Sequence, residues 1–538
     1  MSALPNDSPI RCLNFDILWC IIDMNANMFD DNTAALKTTL TTSRVCRDWR
    51  SFMLRTPSIW AHLIDVDYLY RCTIEGRREL FRRSGTALLW IQTHTPNSHP
   101  LCVPPRYLNC VLDVLCEYRE RIQRLDATIV VRQARRWKPL YLPMPYLESF
   151  SVTLVENSRA SEVQDIRRLL PFSVLFGGSA PMLQELCYRS GRANLTAPWL
   201  RQLRSMVLWA LLTVSETLGV LMLTNNLVKL QISNTYTNDM TAKLPLATLP
   251  KLAYLELSLH FDLISGAVLL DHMSIPPACS LRFSMEFLHH EYITNKSTLG
   301  SVIQAISTCA QRHFTHHVPQ ALGLVFEAFH SMDLTTSYSD ERRCNEQSFV
   351  FSMNLASNQV FPAHALPILL SKFTLPHFSE VTEMVIVIAG KNRPVPELAA
   401  FIARLPSVNI IHTDAWSLRH VARAQAALER AHTGPQTAFP ALKTLRIAFS
   451  GLEPFTTFDS APDPISKFVM PRIARGHAIA TVDFTENTLD VLPDVEFIRK
   501  AHGLKVLWRK SGVAEILEHI CGTGMPKNIA SIREVSAT

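Results

Sequence analysis

Apolar and polar positions alternate with two different periods along this chain, and the period changes near residue 140. In the first stretch Leu13, Ile17, Leu18 and Ile21 fall on one face of a helix, while Phe15, Trp19 and Ile22 make a second apolar face. Asn14 is placed to cap this helix, and Asp16 suits the positive end of its dipole. A helix that is apolar on two sides must be covered on two sides. About 50 residues have too little surface to do that alone, so the downstream chain or another protein must supply the second cover. After the polar stretch from Asp30 to Thr42, the run SRVCRDWRSFM places Val45, Trp49, Phe52 and Met53 on one face. Arg44, Arg47, Asp48 and Arg50 point away. Thr56-Pro57 ends this helix, because the residue before proline avoids helical geometry, and Ile59, Trp60, Leu63 and Ile64 continue the apolar character. A compact cluster of short helices is predicted.

Beyond residue 140 the phrase Pro-x-Leu-x-x-(Leu/Phe)-x-apolar recurs. It reads Pro145, Leu147, Phe150, Val152; Pro181, Leu183, Leu186, Tyr188; Pro250, Leu252, Leu255, Leu257; and Pro440, Leu442, Leu445, Ile447. Four occurrences exceed the roughly one that chance allows. Leu227, Leu230, Ile232 and Val381, Met384, Ile386 repeat it without the proline. The last two apolar positions are two apart and point to one side of a short strand, with the first tucked in from the preceding turn. Leu183, Leu203, Leu227, Leu252 and Leu281 follow one another at 20, 24, 25 and 29 residues, the range of leucine-rich repeats with one strand each. Helical patterns at Leu299–Phe314, Leu398–Leu405 and Leu418–Ala431 lie between strands. The predicted class is therefore an α+β or α/β solenoid. It comprises an N-terminal tail (1–10), a helical domain (11–64), a connector (65–140) and a degenerate, irregular leucine-rich-repeat-like array (141–538).

Composition narrows the chemistry. Gly is only 17 of 538 residues, which disfavours Gly-rich phosphate loops. The formal charge of +6 calls for neither nucleic acid nor membrane as partner. Twelve cysteines, none in a C-x-x-C pair, give no zinc-ribbon or redox motif and fit reduced thiols in the cytoplasm or nucleus. No secretory signal opens the chain. Met206–Leu223 is apolar but carries Ser215 and Glu216 at its centre, so it reads as a buried helix running into a strand rather than a membrane span. The histidines of His313-Phe-Thr-His316-His317, with His289-His290 before them, have helical spacing but no carboxylate or thiol to complete a metal set. They read as a solvated helix end. The basic run from Arg119 to Lys138, with Arg121, Arg124, Arg132, Arg135, Arg136 and Trp137, reads as a solvated surface. No G-x-S-x-G, H-E-x-x-H or P-loop string occurs, so no catalytic residue, metal or cofactor is expected.

Leu13-Asn14-Phe15-Asp16-Ile17-Leu18, Val45-Cys46-Arg47-Asp48-Trp49-Arg50 and Thr56-Pro57-Ser58-Ile59-Trp60 follow one another in the order and spacing of an F-box. Leu80-Phe81-Arg82-Arg83-Ser84-Gly85 and the strand after it resemble the continuation seen in F-box proteins abundant in mushroom-forming fungi. The resemblance covers about 85 residues. It implies docking on a Skp-type adaptor and, through it, a cullin–RING ubiquitin ligase, with Leu13, Ile17, Leu18, Ile21, Val45, Cys46 and Trp49 facing the adaptor. It also implies a C-terminal region that presents a protein substrate without itself being an enzyme. The other reading is an F-box-like repeat scaffold that binds proteins without recruiting a cullin; Asn14 and Asp16, in place of the family's Pro and Glu, are the feature that bears on the choice. Outward strand positions supply the substrate-facing candidates: Lys229, Lys251, Tyr254, Glu256, Lys443 and Arg446.

Overall fold

The computed structural model describes residues 14–29, 34–93, 105–130, 138–155, 172–189, 197–209, 212–233, 235–236, 243–259, 262–288, 293–327, 331–336, 348–355, 359–389, 395–431, 437–448, 464–486, 500–509 and 516–522. These form a mixed α/β chain with fourteen helices and mostly parallel strands. Two compact units divide it: Met1–Ile232 with Leu244–Lys251, and Ser233–Lys243 with Leu252–Thr538.

The first unit opens with α1 (Phe15–Asn25), α2 (Ala35–Thr42), α3 (Arg47–Leu54) and α4 (Pro57–Ala61). Asn14 caps α1 as its sequence predicts, its Oδ1 accepting from Asp16 N at 3.1 Å. Pro57 starts α4 immediately after α3 ends, and the Trp60 indole donates to Met53 O at 2.8 Å, fixing the corner between the two. Next come β1 (Ile64–Asp65), α5 (Val66–Arg71), α6 (Ile74–Ser84), β2 (Leu89–Gln92), α7 (Pro105–Tyr118) and β3 (Ile122–Val130). Gly85 ends α6 at φ 51°, and a Cβ there would lie 3.4 Å from Pro57 Cβ. The Thr-Pro-x-x-Trp and Arg-Arg-Ser-Gly segments are therefore two halves of one packing contact. Arg121 closes it, donating to Ala87 O (2.7 Å) and to Ser84 Oγ (3.1 Å). Arg124 lies 4.4 Å from the centre of the Trp90 ring, on which His62 also stacks. These two arginines of the basic run are thus half-buried and engaged with neighbouring segments rather than free on a solvated surface; Arg132, Arg135, Arg136 and Trp137 lie outside the described residues.

Parallel pairing runs from β1 through β2 and β3 to β4 (Ser149–Val155), β5 (Glu185–Arg189) and β6 (Ser205–Trp209). β7 (Lys229–Ser233) follows, and β8 (Ala247–Thr248) closes the unit. The sheet thus begins inside the segment expected to be a connector. The turn leucines Leu147, Leu183, Leu203 and Leu227 are buried, as are the strand positions three and five residues on. One backbone device repeats at each strand entry. Glu148 O accepts from Gln184 N and Glu185 N (2.8 and 3.0 Å), Gln184 O from Arg204 N and Ser205 N (2.8 and 3.0 Å), and Arg204 O from Val228 N and Lys229 N (2.7 and 3.0 Å). Each carbonyl, one residue past a turn leucine, takes two N–H groups of the next turn and sets its register. Met206–Leu223 divides differently from its sequence reading: strand β6 comes first and α8 (Val214–Leu221) second. Its central Glu216 accepts from Thr213 N at 2.8 Å while Thr213 Oγ1 accepts from Glu216 N, a capping box. No helix among the described residues is long and apolar enough to cross a membrane.

The second unit carries β9 (Tyr254–Leu259), α9 (Leu263–Asp271), β10 (Met273–Ser274), β11 (Ser280–Leu288), α10 (Lys296–Phe314), β12 (Ala321–Glu327), β13 (Ser331–Thr335), β14 (Phe349–Leu355), α11 (Ala365–Lys372), β15 (Glu383–Ala389), α12 (Val395–Ile402), β16 (Ile410–Thr413), α13 (Ala415–Ala431), β17 (Thr444–Ile447), α14 (Pro464–Ala474), β18 (Thr481–Phe484), β19 (Lys505–Arg509) and β20 (Ile516–Ile520). Its strands pair in the order β9, β11, β14, β13, β12, β15, β16, β17, β18, β19, β20. Only β13 and β20 run against the rest. Between β11 and β15 the spatial order is the reverse of the chain order, an antiparallel meander inserted into a parallel progression. Leu281 pairs with Leu255, not with the turn residue Leu252, so the 29-residue spacing joins unlike positions. The helices stack on the inward strand faces around Phe283, Phe314, Phe349, Phe373, Phe378 and Phe401, with ring centroids 5.3–6.1 Å apart. His313 belongs to this core. It is buried, its Nδ1 lies 2.9 Å from Cys279 O, and burial, with repulsion from His317 next, holds its pKa down to about 4. The histidine run is therefore not a solvated helix end at His313; His289 and His290 lie outside the described residues.

Candidate recognition surfaces

The helix α1 divides its apolar residues in a way the period could not dictate. Leu18, Ile22 and Ala26 are buried, whereas Ile17 (51% exposed), Ile21 (38%) and Met24 (70%) form an outward stripe. Leu18 therefore sits with Ile22 in the interior and not with Ile17. Val45 is 57% exposed. Cys46 is half-buried and caps α3, its sulfur accepting from Trp49 N at 3.4 Å, and Trp49 is half-buried on the same helix. Leu13 lies outside the described residues.

On the first unit's sheet the outward residues form register rows: Arg124, Ser149, Glu185 and Ser205; Asp126, Ser151, Cys187 and Val207; Thr128, Thr153, Arg189 and Trp209. Arg189 lies over the Trp209 ring at 4.8 Å, and that indole is 45% exposed. Lys229 stands on β7 as an outward, exposed residue. Lys251 does not share a strand face with it: it flanks the turn residue Leu252 and donates to Asn226 Oδ1 at 2.8 Å.

On the face opposite the phrase leucines one row crosses the eleven paired strands β9 and β11–β20: Glu256, Arg282, Val350, Thr335, Gly323, Val385, His412, Arg446, Asp483, Leu507 and Glu518, of which Gly323 and Val385 are buried. Its middle is neutral and both ends are charged. At one end Tyr254 Oη donates to Glu256 Oε2 at 2.9 Å. At the other, His412 Nε2 lies 2.6 Å from Glu383 Oε1, and Arg446 Nε lies 3.4 Å from Asp483 Oδ2. Glu256 and Arg446 are seven strand spacings apart, about 30 Å, so they belong to separate patches. Lys443 is exposed, but it flanks Leu442 at the strand entry, where its carbonyl accepts from Ala480 N and Thr481 N. His412 is absent from the sequence candidates because β16 lacks the Pro-x-Leu phrase. Its place between Ile411 and Thr413, matching Arg446 between Leu445 and Ile447, is the signal that marks it. Arg189 and Trp209 lie one residue beyond the phrase, in a row the phrase does not reach.

Among the described residues no group of three or more His, Cys, Asp and Glu side chains is placed to hold a metal. The buried thiols of Cys279 and Cys309 are pushed up by burial, to about 12 and about 11, the opposite of an activated nucleophile. No protein-family profile matches the chain, and no curated protein is similar to it.

Proposed function

We propose that the chain is a non-enzymatic substrate-recognition subunit of a Skp–cullin–F-box ubiquitin ligase. In this reading α1–α4 are the F-box, and the strand–turn units are a degenerate leucine-rich-repeat-like array that holds a protein substrate. The observation that carries it is the outward stripe of Ile17, Ile21 and Met24 on α1, beside a buried face of Leu18 and Ile22. A monomer gains nothing from leaving such a stripe in water, whereas an adaptor helix would cover it. The adaptor-facing set becomes Ile17, Ile21 and Val45, with Leu18 bracing the helix from inside. The mixed-charge rows and the exposed Arg189–Trp209 pair suit a protein ligand, since Trp and Arg are the side chains that anchor protein interfaces. Such a subunit would work in the cytoplasm or nucleus. Pull-down of a purified Skp-type adaptor by the full chain at micromolar concentration is the test. Absence of binding removes the ligase reading and leaves a scaffold that works without a cullin.

A further inference from the structure

The residues flanking the three successive turn leucines Leu183, Leu203 and Leu227, with Lys251 beside them, build a groove that the strand faces do not include. Met182 and Gln184 flank Leu183, Gln202 and Arg204 flank Leu203, Asn226 and Val228 flank Leu227, and Lys251 precedes Leu252. Together with Pro181 these line a concavity of about 500 Å³ along the rim where the strands begin. Its floor is fixed by side-chain amides that bridge successive turns. Gln202 Nε2 donates to Ala180 O at 2.5 Å, Asn226 Nδ2 to Arg201 O at 2.9 Å, and Lys251 Nζ to Asn226 Oδ1 at 2.8 Å.

Two cations stand over this floor with no carboxylate among the described lining residues. Arg204 is exposed and forms no ion pair among the described residues. Lys251 gives one N–H to a neutral amide and forms no ion pair among the described residues. Between them Val228 is 41% exposed; one turn beyond Arg204, Met182 is 45% exposed and Pro181 adds further apolar surface. An ammonium and a guanidinium two turns apart, about 10 Å on the interstrand spacing, match acidic side chains three residues apart on an extended chain of polyproline-II geometry, which rises about 3.1 Å per residue and returns to the same side every third residue. The apolar surface of Val228 between them suits an apolar side chain of the same segment.

We infer that this groove binds an extended acidic peptide segment, with carboxylates on Arg204 and Lys251 and an apolar side chain against Val228. This names the substrate class for the receptor role proposed above and rests on that reading for its biological purpose, though not for its chemistry. The probe is a labelled peptide repeating Glu-Val-Thr, titrated into the full chain by fluorescence anisotropy. A Lys-Val-Thr repeat of equal length and a single-stranded oligonucleotide serve as controls. The expected result is selective binding of the acidic peptide that weakens with salt and falls on the order of tenfold or more in Arg204→Glu/Lys251→Glu. A smaller loss is expected in Arg204→Gln/Lys251→Gln, which guards against a fold lost to charge reversal. Unchanged affinity in both double variants, equal binding of the lysine peptide, or tighter groove-dependent binding of the oligonucleotide would overturn the assignment. Adaptor pull-down is run on the same samples. Adaptor binding with no peptide binding removes the groove alone; groove-dependent peptide binding with no adaptor binding removes the ligase reading and leaves the groove standing.

Discussion

The guanidinium of Arg83 lies 4.6 Å from the centre of the Trp60 ring, joining the Arg-Arg-Ser-Gly segment to the Thr-Pro-x-x-Trp segment over 20 residues earlier in the chain. Trp60 is fully buried and donates to Met53 O. Trp60→Ala is expected to cost about 3–5 kcal/mol in urea unfolding. Arg83→Gln should cost about 1 kcal/mol, the scale of a partly exposed cation–π contact.

The division of α1 separates binding from stability. Ile17→Asp/Ile21→Asp should leave the unfolding midpoint within about 0.5 kcal/mol of wild type while abolishing adaptor pull-down. Leu18→Ala should do the reverse, destabilising by about 2–5 kcal/mol with adaptor binding kept by the folded fraction. Equal stability losses from both would place Ile17 and Ile21 in the core.

The turn-and-strand phrase was legible because its spacing carries geometry. Leu252, Leu255 and Leu257 can all be inward only if a turn precedes a strand, and all three are buried. The helices at Lys296–Phe314 and Ala415–Ala431 were legible for the same reason, while α12 ends at Ile402 and leaves Leu405 as a turn residue. The meander was not legible, since local period says which side of a strand is inward and nothing about which strand lies beside it. The surface of α1 was half legible: its apolar residues are visible in sequence, but Leu18 and Ile22, assigned to different faces, are buried together while Ile17, Ile21 and Trp19 are exposed. Lys251 and Lys443 were misplaced on strand faces because polarity is the same for a rim residue and a strand residue.

His313 makes stability depend on pH in a definite direction. Its folded pKa of about 4 lies below the 6.5 of an unfolded histidine, so the unfolded chain binds the proton first. Stability is complete above about pH 6.5, falls as the pH drops toward 4, and levels off below that. The loss is on the order of 3 kcal/mol at most. His313→Gln, which can still donate to Cys279 O, should flatten that part of the curve relative to wild type in urea midpoints measured across the range.

Arg472 is fully buried, and burial lowers its pKa to about 10, so it remains charged at neutral pH. It donates to Ala438 O and, at 2.9 Å, to Phe439 O, holding the turn before β17 where Phe439 takes φ 48°. Arg472→Met removes both donors and should cost about 2–4 kcal/mol in urea unfolding. Arg472→Lys should recover at most half of that loss, because one ammonium cannot reproduce the planar fork.

Arg446 and Asp483 form a partly exposed pair, so Arg446→Ala should change stability by under about 1 kcal/mol. If this end of the row meets a partner, the same substitution weakens co-purification of that partner while Glu256→Lys, about 30 Å away, leaves it unchanged. The comparison is made by quantifying bound partners for each variant.

The meander also fixes an order of events on the ribosome. β11 leaves the exit tunnel long before β14, its neighbour on the far side, and the strand made next, β12, belongs two places further on. Until residue 355 has emerged, β11 therefore holds an open hydrogen-bonding edge that no nearby segment is built to fill. In the finished sheet β14 carries β13 and β12 as antiparallel neighbours, and the free side of β12 is the edge on which β15 pairs. The far edge of β11 thus waits for a strand made some sixty residues later, and β15 pairs on a block three strands wide.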